Sequence, residues 1–221
     1  MLKKIPQIIK SHVNDNKRLY IILFLFYIGG ILAGAFAVNG LSNVQKSEML
    51  DYFKGFVELF SNHPANPMEI LKMSAFTNYS TILILCISAI SIIGFPIVYL
   101  LIAGKGFLTG FSSGLIMGVA GAKGIIFAMV GLLPKEIVIV PCTIAIGVCS
   151  INYSISMLRN KNEGKVFEEH AKEVLAYFSV MTFLFSILMF LGVLIESYVI
   201  PVLIRIFLPI FKWGDLKWGK F

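Results

Sequence analysis

Residues 19–41, "LYIILFLFYIGGILAGAFAVNGL", follow Arg18 and carry no charge, and none follows until Lys46. A helix rises about 1.5 Å per residue, so roughly 20 apolar residues cross a hydrocarbon layer about 30 Å thick. The stretch therefore reads as a membrane span, with a basic segment ahead of it that makes an uncleaved signal-anchor. The rest of the chain has the same character. Of 221 residues, 57% are hydrophobic and only 14% charged, against roughly a quarter charged in soluble domains. No polar segment is long enough to sustain a core of its own. The expected fold is all-α, a polytopic bundle of membrane helices.

Further spans follow from the uncharged runs. One covers 76–101, with Pro96 kinking it near one end. Lys105 then interrupts as a tight turn, and 106–122 forms the third. The region 124–158 is ambiguous, because Pro134, Lys135 and Glu136 fall inside it. As one crossing it contains a broken or re-entrant segment near Pro134. The fifth span is 174–195, bounded by Glu173 and Glu196. The piece after it, 196–221, contains Pro201, Arg205 and Pro209 and reads as interfacial. Five crossings result, or six if Gly124 to Leu133 spans separately.

Lysine and arginine set the orientation. Residues 1–18 carry Lys3, Lys4, Lys10, Lys17 and Arg18 and are expected in the cytoplasm, as is the loop 159–173 with Arg159, Lys161, Lys165 and Lys172. The loop 42–75 is then external. Within it, Phe53, Phe56 and Phe60 recur at helical spacing, with Lys54 and Glu58 mostly on the other face. That pattern is an amphipathic helix for the headgroup layer or for docking.

The third span carries Gly106, Gly110, Gly114 and Gly118, one every four residues, and the first carries Gly30 and Gly34. Residues four apart share a helix face, so each row is a groove that lets another backbone approach closely. The groove serves either packing within the chain or an interface with a partner or second copy.

In "LLPKE", 132–136, two opposite charges follow a proline. Each would cost about 2.5–3.5 kcal/mol at the bilayer centre if isolated. Broken backbone at that depth survives only where protein or water satisfies it. The stretch is either a surface turn or a polar break inside the bundle. Neighbours on a helix point about 100° apart, so Lys135 and Glu136 are badly placed to pair with each other. A partner such as Asn78 fits Glu136 better.

Nothing in the polar residues makes a catalytic arrangement. Cys86, Cys142 and Cys149 lack metal-site spacing, and His12, His63 and His170 lie far apart, so no metal or other cofactor is indicated. The basic residues are scattered around apolar spans, which fits a lipid bilayer rather than nucleic acid.

Taken together, "IGGILAGAFAVN", "FPIVYLLIAGKGFLTGFSSGLI" and "GAKGIIFAMVGLLPKEIVIVP", in this order from about residue 12 to 205, resemble the stage II sporulation protein M family. Relatives outside spore formers often have a histidine-glycine pair after that proline, where Lys135 and Glu136 stand here. The resemblance implies an integral membrane protein of an endospore former, without catalytic activity, needed for engulfment of the forespore. It implies a scaffold at the sporulation septum, acting with stage II sporulation proteins P and D, which degrade septal peptidoglycan. A permease or transporter subunit, with Glu136 at an ion or substrate site, is the alternative.

Overall fold

The computed structural model describes residues 5–62, 66–91, 94–159 and 166–207. Short helix α1 (Ile5–Asp15) leads into α2 (Lys17–Ala37), which a turn of 3-10 helix, Val38–Gly40, extends. Then come α3 (Asn43–Asn62) and α4 (Pro67–Ile90). A helical stretch Gly94–Arg159 folds at Gly121 into two arms, α5 (Gly94–Gly121) and α6 (Lys123–Leu158). Finally α7 (Val166–Leu194) passes through a π-helical turn, Ile195–Val199, into α8 (Ile200–Phe207). No strand is present among the described residues.

Five stretches are long and apolar enough to cross a membrane: Lys17–Gly40, Pro67–Ile90, Gly94–Gly121, Lys123–Leu158 and Lys172–Phe207. Five is the expected number, but the bounds differ. The break expected at Lys105 is absent. The chain turns eleven residues earlier, where the Gly94 N–H donates to Ser91 O at 2.9 Å. A side chain on Gly94 would collide with the Ser88 carbonyl, so this turn needs glycine. Lys105 consequently lies midway along α5.

The break expected near Pro134 is also absent. Helical dihedrals continue through Pro134 and Pro141, and the departure within Gly94–Arg159 is Gly121, at φ 58° and ψ −139°. That backbone is left-handed, where only glycine sits without penalty. Gly124 then returns against Ile116, whose carbonyl leaves no room for a side chain. Proline inside a membrane helix is tolerable where neighbouring groups satisfy the freed carbonyl. The segment 124–158 is thus one helical crossing. The fifth crossing likewise runs beyond the expected end at Ile195, as far as Phe207; residues 208–221 of the expected interfacial segment lie outside the described part.

The start of α4 is fixed by its own sequence. Asn66 Oδ1 accepts from the Met68 N–H at 3.1 Å, Pro67 supplies the helical φ, and Glu69 stands in the first turn. α6 is the central helix: Cys142 through Ile151 are buried without interruption. α2, α4, α5 and α7 surround it and keep apolar side chains outward, among them Leu25, Ile87, Leu100 and Phe183. That inversion is what a lipid solvent permits.

The glycine rows are consumed in joining α2 to α5. A methyl group on Gly30 would meet Ala103 O, and one on Gly34 would meet Phe107 O. From the other side, Gly106 faces Tyr27 O and Gly110 faces Ile31 O, while Gly114 abuts Val38 and Ala35. Gly118 is buried too. The groove is closed by the chain's own first span, so it offers no open bed for a partner helix.

Helix α3 lies at one end of the bundle. Phe53 and Phe56 turn inward onto Phe127, Ile200 and Ile204, with the Phe53 and Phe127 rings edge to face at 5.9 Å. These two rings hold α3 down rather than facing a partner, and the side chain of Phe60 lies outside the described residues. At the opposite end, α1 buries His12, whose Nδ1 is 2.9 Å from Tyr177 Oη and whose Nε2 is 3.5 Å from Cys149 Sγ. Asn152 Nδ2 donates to Asn16 Oδ1 at 2.8 Å beside it.

Candidate functional site

Polar side chains from five segments meet at mid-depth of the bundle. Asn78 on α4 and Lys105 on α5 each lie eleven residues into their helices, about 16 Å at the helical rise. Half of a hydrocarbon layer is about 15 Å, so both stand near the bilayer centre. Tyr27 on α2, Lys135, Glu136 and Thr143 on α6, and Glu196 on the π-helical turn complete the cluster.

Lys135 and Glu136 are neighbours with separate partners. Lys135 Nζ donates to Glu196 Oε1 at 2.5 Å, and each of these side chains keeps 21% of its surface accessible. Glu196 Oε2 also accepts from Ser74 Oγ at 2.5 Å. Glu136 accepts from Thr109 Oγ1 and from Tyr27 Oη, both at 3.4 Å. Asn78 is not its partner. Asn78 Oδ1 instead accepts from Lys105 Nζ at 2.9 Å, and Thr143 Oγ1 stands 3.4 Å from the same nitrogen. Asn78 Nδ2 is anchored on Ser74 O at 3.0 Å.

The fold supplies these positions in identifiable ways. The glycine contact of α2 with α5 puts Gly106 on the Tyr27 backbone, which sets that tyrosine beside α6. The antiparallel return at Gly121 brings Thr109 opposite Glu136 and Lys105 opposite Thr143. The π-helical turn carries Glu196 toward α6. Single π turns inside α-helices recur at functional sites.

Ser74, Asn78, Lys105, Thr109, Lys135, Glu136 and Glu196 line a cleft of about 870 Å³ between α4, α5 and α6, while Tyr27 and Thr143 reach it only through Glu136 and Lys105. Along α4 it extends from Ile70 to Thr81, about 16 Å at the helical rise. Its mouth lies between α4 and α5 at Met73, Leu100 and Leu108, which are 76%, 70% and 67% exposed. Toward the α1 end it gives way to close-packed core around Leu85, Val98 and Ile146. The cleft therefore has a charged floor, an apolar rim and one closed end.

Of the expected site residues, Pro134, Lys135 and Glu136 are here or adjacent. The glycines stand behind α5 and help position it, and the phenylalanines are elsewhere. Lys105, Glu196, Thr109, Thr143, Ser74 and Tyr27 were not foreseen as site residues. A signal existed for Lys105: the run Met73–Gly104 is long for one span and has Gly94 and Pro96 about two thirds of the way along it. Turning the chain there places Lys105 in mid-helix. No group of three or more histidine, cysteine or acidic side chains able to hold a metal ion occurs among the described residues.

A bundle of five apolar crossings around an intramembrane charge cluster defines a multi-pass membrane protein. Residues 22–201 match the family model of Stage II sporulation protein M, and the chain belongs to that family. It is thus a sporulation membrane protein. No curated protein and no solved structure matches it.

Proposed function

We propose that the chain is a non-enzymatic membrane scaffold that localises septal peptidoglycan-degrading proteins, stage II sporulation proteins P and D, for engulfment of the forespore. The observation that carries this reading is the family match, which covers nearly all of the five crossings. In the proposed topology the α1 end is cytoplasmic. Arg159, Lys161, Lys165 and Lys172 then join Lys3, Lys4, Lys10, Lys17 and Arg18 on that side, as the positive-inside rule requires. Helix α3 faces the septal wall.

Because the glycine groove is filled from within and Phe53 and Phe56 are turned inward, partner contact falls to other surfaces. The outward side of α3, where Tyr52 is 77% exposed, is one. The test is affinity capture of the tagged chain from membranes of sporulating cells in mild detergent. Enrichment of both wall-degrading proteins is expected. Their absence beside a folded, correctly localised chain overturns the proposal.

A second reading, a permease or transporter subunit, is favoured by Lys105 and Glu136 at mid-depth, since intramembrane charges mark substrate and ion pathways in transporters. It requires solute movement in proteoliposomes that Glu136→Gln abolishes.

A further inference from the structure

Lys105 and Glu136 carry opposite charges, line the same cleft and sit on facing helices. Among the described residues neither has a charged group within hydrogen-bond reach. Lys105 is held by Asn78 and Thr143, and Glu136 by Thr109 and Tyr27. Three of these four contacts measure 3.4 Å, at the long end for hydrogen bonds. Lys135 and Glu196, in contrast, are committed to each other. An ammonium has three donors and a carboxylate about four acceptor positions, so both groups keep bonding capacity toward the cleft. Thr109 locates the two relative to each other: its hydroxyl lies 3.1 Å from Lys105 O and 3.4 Å from Glu136 Oε1. The carboxylate is therefore about one helical turn along from the lysine backbone.

A guest of one sign would satisfy one of these groups and repel the other. A guest carrying both signs a few atoms apart satisfies both, and in a low-dielectric cleft such short contacts are strong. The remaining lining is mostly leucine and isoleucine with Met73 and Phe107, interrupted by the hydroxyls of Thr77, Thr81 and Ser112, and the space of about 870 Å³ far exceeds the roughly 30 Å³ share of a water molecule. The exposed rim at Met73, Leu100 and Leu108 would receive an apolar body reaching toward lipid.

We propose that this cleft binds an amphiphile with a zwitterionic head, its anionic group on Lys105 and its ammonium on Glu136. Phosphatidylethanolamine and a free apolar amino acid share that chemistry. The proposal goes beyond the scaffold reading and does not depend on it, since binding is read on the isolated chain.

The full chain is purified in a non-ionic maltoside detergent. In one arm it is offered equal amounts of dioleoyl phosphatidylethanolamine and dioleoyl phosphatidylglycerol, and retained lipid is counted by native mass spectrometry. In the other, thermal unfolding is followed with and without L-leucine. The expected result is a preference of about tenfold for the zwitterionic lipid, or saturable stabilisation by leucine. Whichever arm responds identifies the source. Lys105→Gln and Glu136→Gln each abolish the response, while the exchange Lys105→Glu with Glu136→Lys restores it, because the head can turn round. Where a glutamine variant does not fold, Asn78→Asp substitutes for it: the new carboxylate pairs with Lys105 and weakens binding. No response in either arm, single variants equal to wild type, or a preference for phosphatidylglycerol would overturn the proposal.

Discussion

Replacing Lys135 or Glu196 perturbs the one ion pair inside the bundle that the described residues show, and its energetics follow from its geometry. The charges meet at 2.5 Å with 21% of each side chain accessible, so both are largely withdrawn from water. Removing one partner of a buried pair costs about 3–5 kcal/mol, mostly because the other charge is stranded. Partial exposure brings the expected cost of Lys135→Met or Glu196→Met to about 2–3 kcal/mol. Replacing both with methionine strands nothing and is expected to fall within about 1 kcal/mol of wild type, as for other pairs exchanged for apolar residues. Ser74, left without Glu196, supplies much of that remainder. The coupling is therefore about 3–5 kcal/mol and the double variant is the more stable form. Thermal unfolding in detergent reads this directly. At roughly 2–4 °C per kcal/mol for a chain of this size, each single variant should melt about 4–12 °C lower. If the double variant loses as much as the two singles added together, the side chains do not act as a pair and the assignment fails.

Three other outcomes test the packing. Gly34→Ala and Gly110→Ala should each destabilise by about 1–3 kcal/mol through backbone overpacking, whereas Gly29→Ala and Gly104→Ala, with open space around them, should gain up to about 1 kcal/mol in helix propensity; thermal melts compare the four. Phe53→Ala with Phe56→Ala should loosen α3 at a cost of about 1–3 kcal/mol, below full-burial values because both rings are half-buried, and should speed tryptic cleavage at the exposed Lys54. Burial pushes His12 below its ordinary value, with Asp15 pulling partly back. The unfolded chain then binds the proton more readily, so stability is retained above about pH 6.5 and falls as pH drops from there toward the lowered folded value. His12→Gln should flatten that slope in melts recorded across the same range.

Hydropathy made the number of crossings legible, because uncharged runs of span length have few other uses. It misplaced the boundaries for a physical reason. A charge ordinarily marks the edge of the lipid, yet Lys105 and Glu196 are both inside the bundle with hydrogen-bonding partners from distant parts of the sequence. Asn78 precedes Lys105 by 27 residues, and Glu196 follows Lys135 by 61. Nothing local announces such partners. Pro134 misled in the converse way: proline weakens a helix, but in apolar surroundings the rest of the ladder still prefers helical closure. Gly121, the residue that does turn the chain, has no distinguishing neighbour in "MGVAGAKG". The glycine rows showed close helix approach, and only the tertiary structure assigns α2 as the helix approached.

The irregular elements explain why the charges can coexist. A π-helical turn holds one more residue than an α turn, so the helix after it is rotated by about 100° relative to a regular continuation. Ile200 and Ile204 downstream thereby meet Phe127, while Glu196 within the turn still reaches Lys135. Without the extra residue, one of these contacts would be lost. Gly121 acts similarly for the other pair of charges. By turning the chain fourteen residues ahead of Lys135, it makes α5 and α6 antiparallel neighbours and sets Lys105 across from Thr143 and Thr109 across from Glu136. Two deviations from regular helix thus place four charges at the centre of the bundle. One pair is closed on itself, and the other stands open along a cleft whose rim faces lipid.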